Sequence, residues 1–343
     1  MQLMGATPLA APGGVRGAVA APPAAGSLRV AQMNLWNLFD TVNDPKTGDD
    51  QSTPTPEQYQ IKLTKIANAI VELGTPDLIS LNEIENETVL IDLLKQPQLK
   101  GQDYRFIVQP TNDERGITVG VLYKDSKLEA VGTTSFNPKM SFPDGGRGQI
   151  DRSLLYARPP LVVDFKARGA AQAAEGAGLL TVAVNHFKSK LGGDAPEARR
   201  QMQGQYLGEW LDARRATRPG GAVMVLGDLN ANHGEGAYEK LAKRADGSQR
   251  LYDAPLKLKA EDRYTYIYRG SKDLLDHVML SAGKEDAITG VQILHVNSGL
   301  TKTERERAQW DPKVLPGYSD HDSMIVDVDL KKLLAEQKPA RKG

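Results

Sequence analysis

Short apolar runs closed by Gly, Pro, Asn or Asp recur along this chain, and several deliver a polar side chain just where the apolar run ends. Leu28-Arg29-Val30-Ala31-Gln32-Met33 leads into Asn34, Leu78-Ile79-Ser80-Leu81-Asn82 into Glu83, and Leu180-Thr181-Val182-Ala183-Val184-Asn185 into His186. Farther on, Val223-Met224-Val225-Leu226 precedes Gly227-Asp228-Leu229-Asn230, and Leu274-Leu275 precedes Asp276. Pro316-Gly317-Tyr318-Ser319-Asp320-His321 stands before the last apolar run. The period-2 or continuously apolar pattern predicts strands at 28–33, 77–82, 104–109, 117–123, 160–165, 179–185, 222–227, 274–280, 291–296 and 322–330. A strand in a sheet is rigid, so its end can aim a side chain into a cleft.

Two helical patterns lie between the strands. Thr55-Pro56-Glu57 opens one, with Ile61, Leu63, Ile66, Ile70 and Leu73 turned inward and Gly74 as its stop. The second runs from about Pro196 to Arg215, with Met202, Tyr206, Leu207, Trp210 and Leu211 on one face. The stretches 41–55 and 137–149 read as long loops. Many strands with few helices predict an α+β fold: two mixed sheets packed face to face with helices outside, a four-layer α/β/β/α sandwich. Residues 28–330 form its single domain, after an Ala/Pro/Gly-rich leader at 1–27 read as disordered and before a charged tail at 331–343.

Composition narrows the chemistry. Lys plus Arg and Asp plus Glu both total 43, so the formal net charge is zero, and a polyanion must be held by a local patch. With no cysteine, disulfides, thiolate zinc sites and a cysteine nucleophile are all excluded. No apolar stretch approaches the roughly 18 residues of a membrane span, so no membrane partner is expected. The oxygen-bearing residues Asn34, Glu83, Asp228, Asn230 and Asp320 are the kind a hard ion such as Mg²⁺ or Mn²⁺ prefers. His186 and His321 add imidazoles, and Asp276 is placed to orient one of them; His233, His277 and His295 read as structural or surface residues. A divalent ion, carboxylates and histidines together suit attack of water on a phosphoester. Each block also has a plainer reading: Gly-Asp-Leu-Asn favours turns, Ser-Asp-His can cap one, and His186 can be a core histidine.

Taken in order, Asn34, Glu83, Asn185-His186, Gly227-Asp228-Leu229-Asn230, Asp276 and Ser319-Asp320-His321 closely resemble the endonuclease/exonuclease/phosphatase superfamily over about residues 28–330. Its bacterial, often secreted, DNase-type members look nearest, through Met33 to Asp40, Leu81 to Asn86, Asp113 to Ile117 and Asn185 to Lys190. The resemblance implies the same four-layer sandwich. It makes Glu83 the principal metal ligand with Asn34 beside it, Asp320 a further ligand, and Asp228 the group that orients or deprotonates water. Asn230 would hold the phosphate or a second metal, while His186 and an Asp276-oriented His321 would flank the scissile phosphate. Arg158, Arg115, Lys188 and Asn185 are assigned to substrate, and Lys190, Arg199 and Arg200 add charge near the presumed cleft. Asp113 or Glu114 is the expected carboxylate partner of His186.

Two departures narrow the comparison. Trp36 stands where repair-type members carry an acidic residue, and Ala231-Asn232 with no cysteine departs from the inositol-phosphate phosphatases. The expected function is therefore a divalent-metal-dependent nuclease acting on DNA, and on RNA as a second polynucleotide, with little sequence preference. The alternative is a phosphodiesterase or phosphatase for small or lipid phosphoesters, for which 136–143 is the one candidate lipid loop. A catalytically inert scaffold is the third reading, opposed by the presence of every residue named. A structural Ca²⁺ at the acidic stretch 43–50, a monomer without protein partner, and a secreted or periplasmic location complete the expectations.

Overall fold

The computed structural model describes residues 24, 26–44, 53–135, 141–143, 150–168, 178–218 and 220–335. The Ca²⁺ stretch beyond Asp44, most of the candidate lipid loop, nearly all of the leader and residues 336–343 of the tail lie outside the described residues, whereas Leu330–Leu334 form a helix that buries Leu333 in the core. In chain order the first strands are β1 (Ser27–Leu38), β2 (Leu78–Ile84), β3 (Tyr104–Val108), β4 (Thr118–Lys124), β5 (Leu128–Ser135), β6 (Ser141–Pro143), β7 (Ile150–Leu154) and β8 (Leu161–Ala167). They continue as β9 (Leu179–His186), β10 (Ala222–Asp228), β11 (Leu251–Asp253), β12 (Tyr266–Tyr268), β13 (Ser271–Asp273), β14 (Asp276–Ser281), β15 (Ile288–Leu294) and β16 (Ser323–Asp329). The helices are α1 (Pro56–Glu72), α2 (Glu87–Leu94), α3 (Asp194–Thr217), α4 (Gly236–Ala242), α5 (Lys302–Ala308) and α6 (Leu330–Leu334).

Two mixed six-stranded sheets carry the fold, in the orders β15-β16-β1-β2-β4-β3 and β11-β14-β10-β9-β8-β5. Alternation along each strand divides the core into three layers. Leu28, Val30 and Leu78 of the first sheet pack with Val182, Val184, Met224 and Leu226 of the second. The opposite parity, Ala31, Met33, Ile79 and Leu81, packs against Leu63, Ile66 and Ile70 of α1 and Leu90 of α2. On the far side Ala183, Val223 and Val225 meet Leu207 and Leu211 of α3 and Leu241 of α4. This is the expected four-layer sandwich of two sheets with helices outside.

Both expected helices form, with buried faces the apolar pattern did not fully give. Thr55 caps α1, accepting from the backbone N–H of Gln58 while the Gln58 side chain accepts from that of Thr55. Ile61 is only half-buried, whereas Lys62 and Lys65 lie inside. In α3 the buried stripe is Gln203, Gly204, Leu207, Gly208 and Leu211, with Met202, Tyr206 and Trp210 at its margin. Gly204 is required there, because a Cβ would sit 2.3 Å from the carbonyl oxygen of Ala237 in α4. The pairs of short strands β6–β7 and β12–β13, together with β5, β11, α2 and α4, fall outside the expected elements. The three-residue strands among them give too few periods for a pattern to register, and β5, with Glu129, Gly132 and three hydroxyl residues, lacks an apolar run.

Candidate active site

The inward faces of the central strands are apolar for several residues and turn polar at one end of the sandwich. On β1 the inward series is Leu28, Val30, Gln32, Asn34; on β9 it is Leu180, Val182, Val184, His186; on β10 it is Ala222, Met224, Leu226, Asp228. Register then does the assembly. Asp228 pairs with His186 on its parallel neighbour and with Asp276 on its antiparallel neighbour, so three of the candidate side chains share one rung of one sheet. The glycine before Asp228 is imposed by this pairing: Gly227 has φ +136°, and a Cβ there would lie 1.9 Å from the carbonyl oxygen of Asn185.

The other sheet supplies Asn34 and Glu83 through irregular backbone. The β1–β2 register shifts between Asn34 and Leu38, and the β2–β4 register between Asn82 and Ile84. Glu83 has φ +60°, Trp36 +48°, Asn37 +56°, and Asn230 in the facing sheet +48°. Left-handed backbone at non-glycine residues is costly, and its clustering at one end of the sandwich marks a place where side-chain direction outweighs local comfort. In a regular strand Glu83 would follow Leu81 toward the helices; the bulge turns it to the cleft.

The assembled site is held by short polar contacts. The Asn34 amide nitrogen lies 3.5 Å from Glu83 Oε1 and 3.2 Å from Asp228 Oδ2, bridging one carboxylate of each sheet. Its oxygen accepts from the backbone N–H of Trp36, so in this arrangement Asn34 positions the carboxylates. Glu83 also accepts from the backbone N–H of Asn37. His186 Nε2 lies 3.8 Å from Glu83 Oε1 and 3.6 Å from Asp228 Oδ2, and His321 Nε2 lies 3.9 Å from the same Asp228 oxygen. His321 Nδ1 is 2.7 Å from Asp276 Oδ2. Asn230 donates its backbone N–H to Asp228 Oδ1 and its amide to the carbonyl of Phe187. Half-buried Asp320 adds its charge to the field at Glu83, Tyr266 and His321.

Burial and neighbouring charge set the protonation states. Burial pushes the Asp228 carboxyl up to about 7, aided by Asp276 and Glu83 and opposed by His321. Burial and Asp320 likewise raise Glu83. Burial also works against a charged His321, but Asp276, Asp228 and Asp320 outweigh it and hold its imidazolium well above the ordinary histidine range. His186 goes the other way, driven well below that range by burial and by Arg158 and Arg115. The two imidazoles that flank Asp228 are thus shifted in opposite directions.

Several expected partners are placed otherwise. Asn185 and His186 are adjacent on one strand, so they point to opposite faces; Asn185 is wholly buried and donates to the carbonyls of Ala183 and Leu226, away from the cleft. Arg158 is buried and its fork is turned inward, onto Asp113 and the carbonyls of His186 and Phe187. Asp113 therefore serves Arg158 rather than His186, and Glu114 is exposed. His186 Nδ1 has no hydrogen-bond partner among the described residues. Arg115, by contrast, is half-exposed and reaches Asn37 Oδ1 at 3.4 Å, and the field of Arg158, Arg199 and Arg115 falls on Lys188. Arg200 is buried, donating to the carbonyls of Lys188 and Ser189, and Lys190 is paired with Glu235.

Residue types alone hid two buried amides beneath the site. The Gln32 amide nitrogen reaches Asn82 Oδ1 at 2.6 Å and Asp276 Oδ1 at 3.1 Å. Asn82 in turn accepts from the backbone N–H of Asp228 and donates to the carbonyl of Asn185, tying the two sheets together. The available signal was their parity: Gln32 and Asn82 interrupt inward-facing apolar series. Lys62 also went unseen; its Nζ lies 5.3 Å over the Trp36 ring, and burial lowers it to about 7 against the pull of Asp320 and Glu83.

The donor set suits a hard ion. Among the described residues no three acidic or histidine side chains close on one point as a complete protein cage. Mg²⁺ needs no such cage, since it is commonly held by one or two carboxylates with water and substrate phosphate completing its shell. Glu83, steered by Asn34 and the Asn37 N–H and reached by the charge of Asp320, fits that mode.

No curated protein matches this chain. Solved structures do resemble it in fold. An endonuclease/exonuclease/phosphatase from Bacteroides vulgatus superposes with a TM-score of 0.57 at 15% identity, over 88% of this chain and 98% of its own. The human Nocturnin catalytic domain with bound sulfate anion gives 0.55 at 16%, over 89% and 95%, and TDP2 from C. elegans 0.55 at 14%, over 88% and 75%. The model of the Endonuclease/Exonuclease/phosphatase family matches residues 29–330, nearly the whole sandwich and every side chain of the site. With two sheets that meet at a carboxylate and histidine cleft, this chain belongs to the Endonuclease/Exonuclease/phosphatase family and to the phosphoester hydrolases which that name describes.

Proposed function

We propose that this chain is a divalent-metal-dependent nuclease that hydrolyses phosphodiester bonds of DNA, and of RNA as a second polynucleotide, with little sequence preference. The observation that carries the reading is the position of Asp228 Oδ2, within 3.6 Å of His186 Nε2 and 3.9 Å of His321 Nε2, and joined to Glu83 through Asn34. A phosphate lying against this group meets an imidazolium and a neutral imidazole with a carboxylate between them. Asp228 is the group to orient and deprotonate the attacking water, held in direction by the Asn230 N–H on Oδ1 and the Asn34 amide on Oδ2. His321, its Nδ1 fixed by Asp276, presents Nε2–H to a phosphoryl oxygen as negative charge builds there. Mg²⁺ or Mn²⁺ at Glu83 would supply Lewis-acid neutralisation of the same oxygens.

A polynucleotide is favoured over a small phosphomonoester by basic side chains gathered near the cleft, where Arg115 and Arg199 each lie close enough to act on Lys188, and Arg115 and Lys188 on His186. Such side chains hold a phosphate backbone without reading bases. Cleavage of supercoiled plasmid with Mg²⁺, Mn²⁺ or EDTA, beside the His321→Ala protein, tests the reading. Nicking that needs the ion and is lost in the variant is expected; turnover of nitrophenyl phosphodiesters without plasmid cleavage would move the function to small phosphoesters. Lys188→Ala should flatten the slope of log binding constant against log salt by about one.

A further inference from the structure

The hairpin β12–β13 stands directly on the catalytic histidine. The ring of Tyr266 lies 4.8 Å from that of His321, tilted by 36°. A two-residue turn, Arg269 at φ +49° and Gly270 at φ +83°, closes the hairpin. Thr265 anchors its base, accepting through its hydroxyl from the N–H groups of Leu275 and Asp276, and donating its own N–H to the carbonyl of Asp273. The hairpin is thus fixed to the strand that carries Asp276.

Tyrosines occupy positions 264, 266 and 268, and Tyr266 and Tyr268, two residues apart on β12, project from one side of the ribbon. Their surroundings differ in an ordered way. Tyr264 is taken up on both ring faces, stacked on His295 at 4.0 Å and 9°, with Lys272 Nζ 4.0 Å from its centroid. Tyr266 is half-buried beside His321, and Tyr268 is 48% exposed at the tip with the Arg269 guanidinium 5.2 Å from its centroid. Two residues along a strand advance about 6.7 Å, twice the ~3.4 Å rise between stacked bases. One flat base therefore fits the interval between two such rings.

We infer that the hairpin is the base-holding wall of the cleft: Tyr264 is its structural post, while Tyr266 and Tyr268 stack a nucleobase of an unpaired strand beside the scissile phosphate. This inference rests on the nuclease reading and adds a preference for single-stranded or frayed DNA. The chemistry is sequence-tolerant, because every base has a π-face, and Arg269 adds positive charge at the hairpin tip for the strand's phosphates.

The test uses the full chain and two fluorescent single-stranded 12-mers, one carrying bases and one built of abasic tetrahydrofuran units. The parent protein should cleave the base-bearing strand with the lower KM, and Tyr268→Ala, at an exposed turn where folding is not at stake, should raise that KM about 10-fold while leaving the abasic strand unchanged. Tyr268→Trp should restore the parent KM, and Tyr266→Ala should lose the preference as well as some kcat through His321. Equal KM for both strands in the parent protein, or an unchanged preference in Tyr268→Ala, overturns the wall and leaves the nuclease reading standing. If neither strand is cut or bound by protein with native circular dichroism, the nuclease reading falls and the wall with it.

Discussion

Asp276 and His277 are neighbours on β14, and each belongs to a buried Asp–His pair, yet only one pair belongs to the cleft. His321 is bonded to Asp276 through Nδ1 and keeps Nε2 toward the cleft, 3.9 Å from Asp228. His277 is bonded at both nitrogens, Nδ1 to Asp253 at 2.8 Å and Nε2 to the carbonyl of Ala231 at 2.9 Å, and packs on the Tyr238 ring. A buried histidine with a carboxylate is therefore no sign of catalysis. What separates the two is whether the second nitrogen is already satisfied. The strand's alternation makes the split, sending Asp276 between the sheets and His277 into the outer core.

Exchanging the damage would break this comparison. His321→Ala should lower kcat about 10²- to 10⁴-fold with a melting temperature near that of the parent. His277→Ala should cost about 3–5 kcal/mol of stability, since Asp253 is left buried without its partner, while activity per folded molecule stays near the parent's. Nicking assays beside urea titrations would show it, and equal loss of activity in both variants would sink the distinction. Next in size, Asp276→Asn should lower kcat roughly 10²-fold by releasing His321 from its orientation, and Asp253→Asn should leave kcat alone.

The contrast extends to buried cations and predicts a smaller, pH-dependent effect. Lys65 is wholly buried, its Nζ donating to the carbonyls of Ala308, Asp311 and Val314, and burial lowers it to about 8 despite the pull of Asp311. An unfolded lysine titrates at about 10.4, so between these values the unfolded chain binds the extra proton and stability rises with pH. Denaturant titrations at increasing pH across that window should show this rise, at most about 1.4 kcal/mol per pH unit. Lys65→Met should be less stable and should show a shallower rise, keeping the share that buried Lys62 contributes over the same window. A parallel pH dependence in both proteins would refute the assignment.

How far the sequence reached can be judged at single residues. Asn34, Glu83, His186, Asp228, Asn230, Asp276 and His321 were legible because each follows an apolar strand, and the structure brings all of them to one end of the sandwich. Asn185 was grouped with them because it adjoins His186; one step along a strand reverses the face, which the residue type does not reveal. Arg158 and Asp113 were both assigned toward the cleft but satisfy one another. Gln32, Asn82 and the tyrosine hairpin carry no recognisable motif, and their roles come from what they touch.

The sequence by itself determined the central strands of both sheets, their polar ends and the family, because period-2 alternation and short motifs are local and survive without knowledge of neighbours. Only the tertiary structure decided which polar ends share a rung, which histidine keeps a free nitrogen and which arginine turns inward. Those outcomes depend on strand register, on two bulges and on how two sheets face each other, and each joins residues far apart in the chain, such as Asn34 to Asp228.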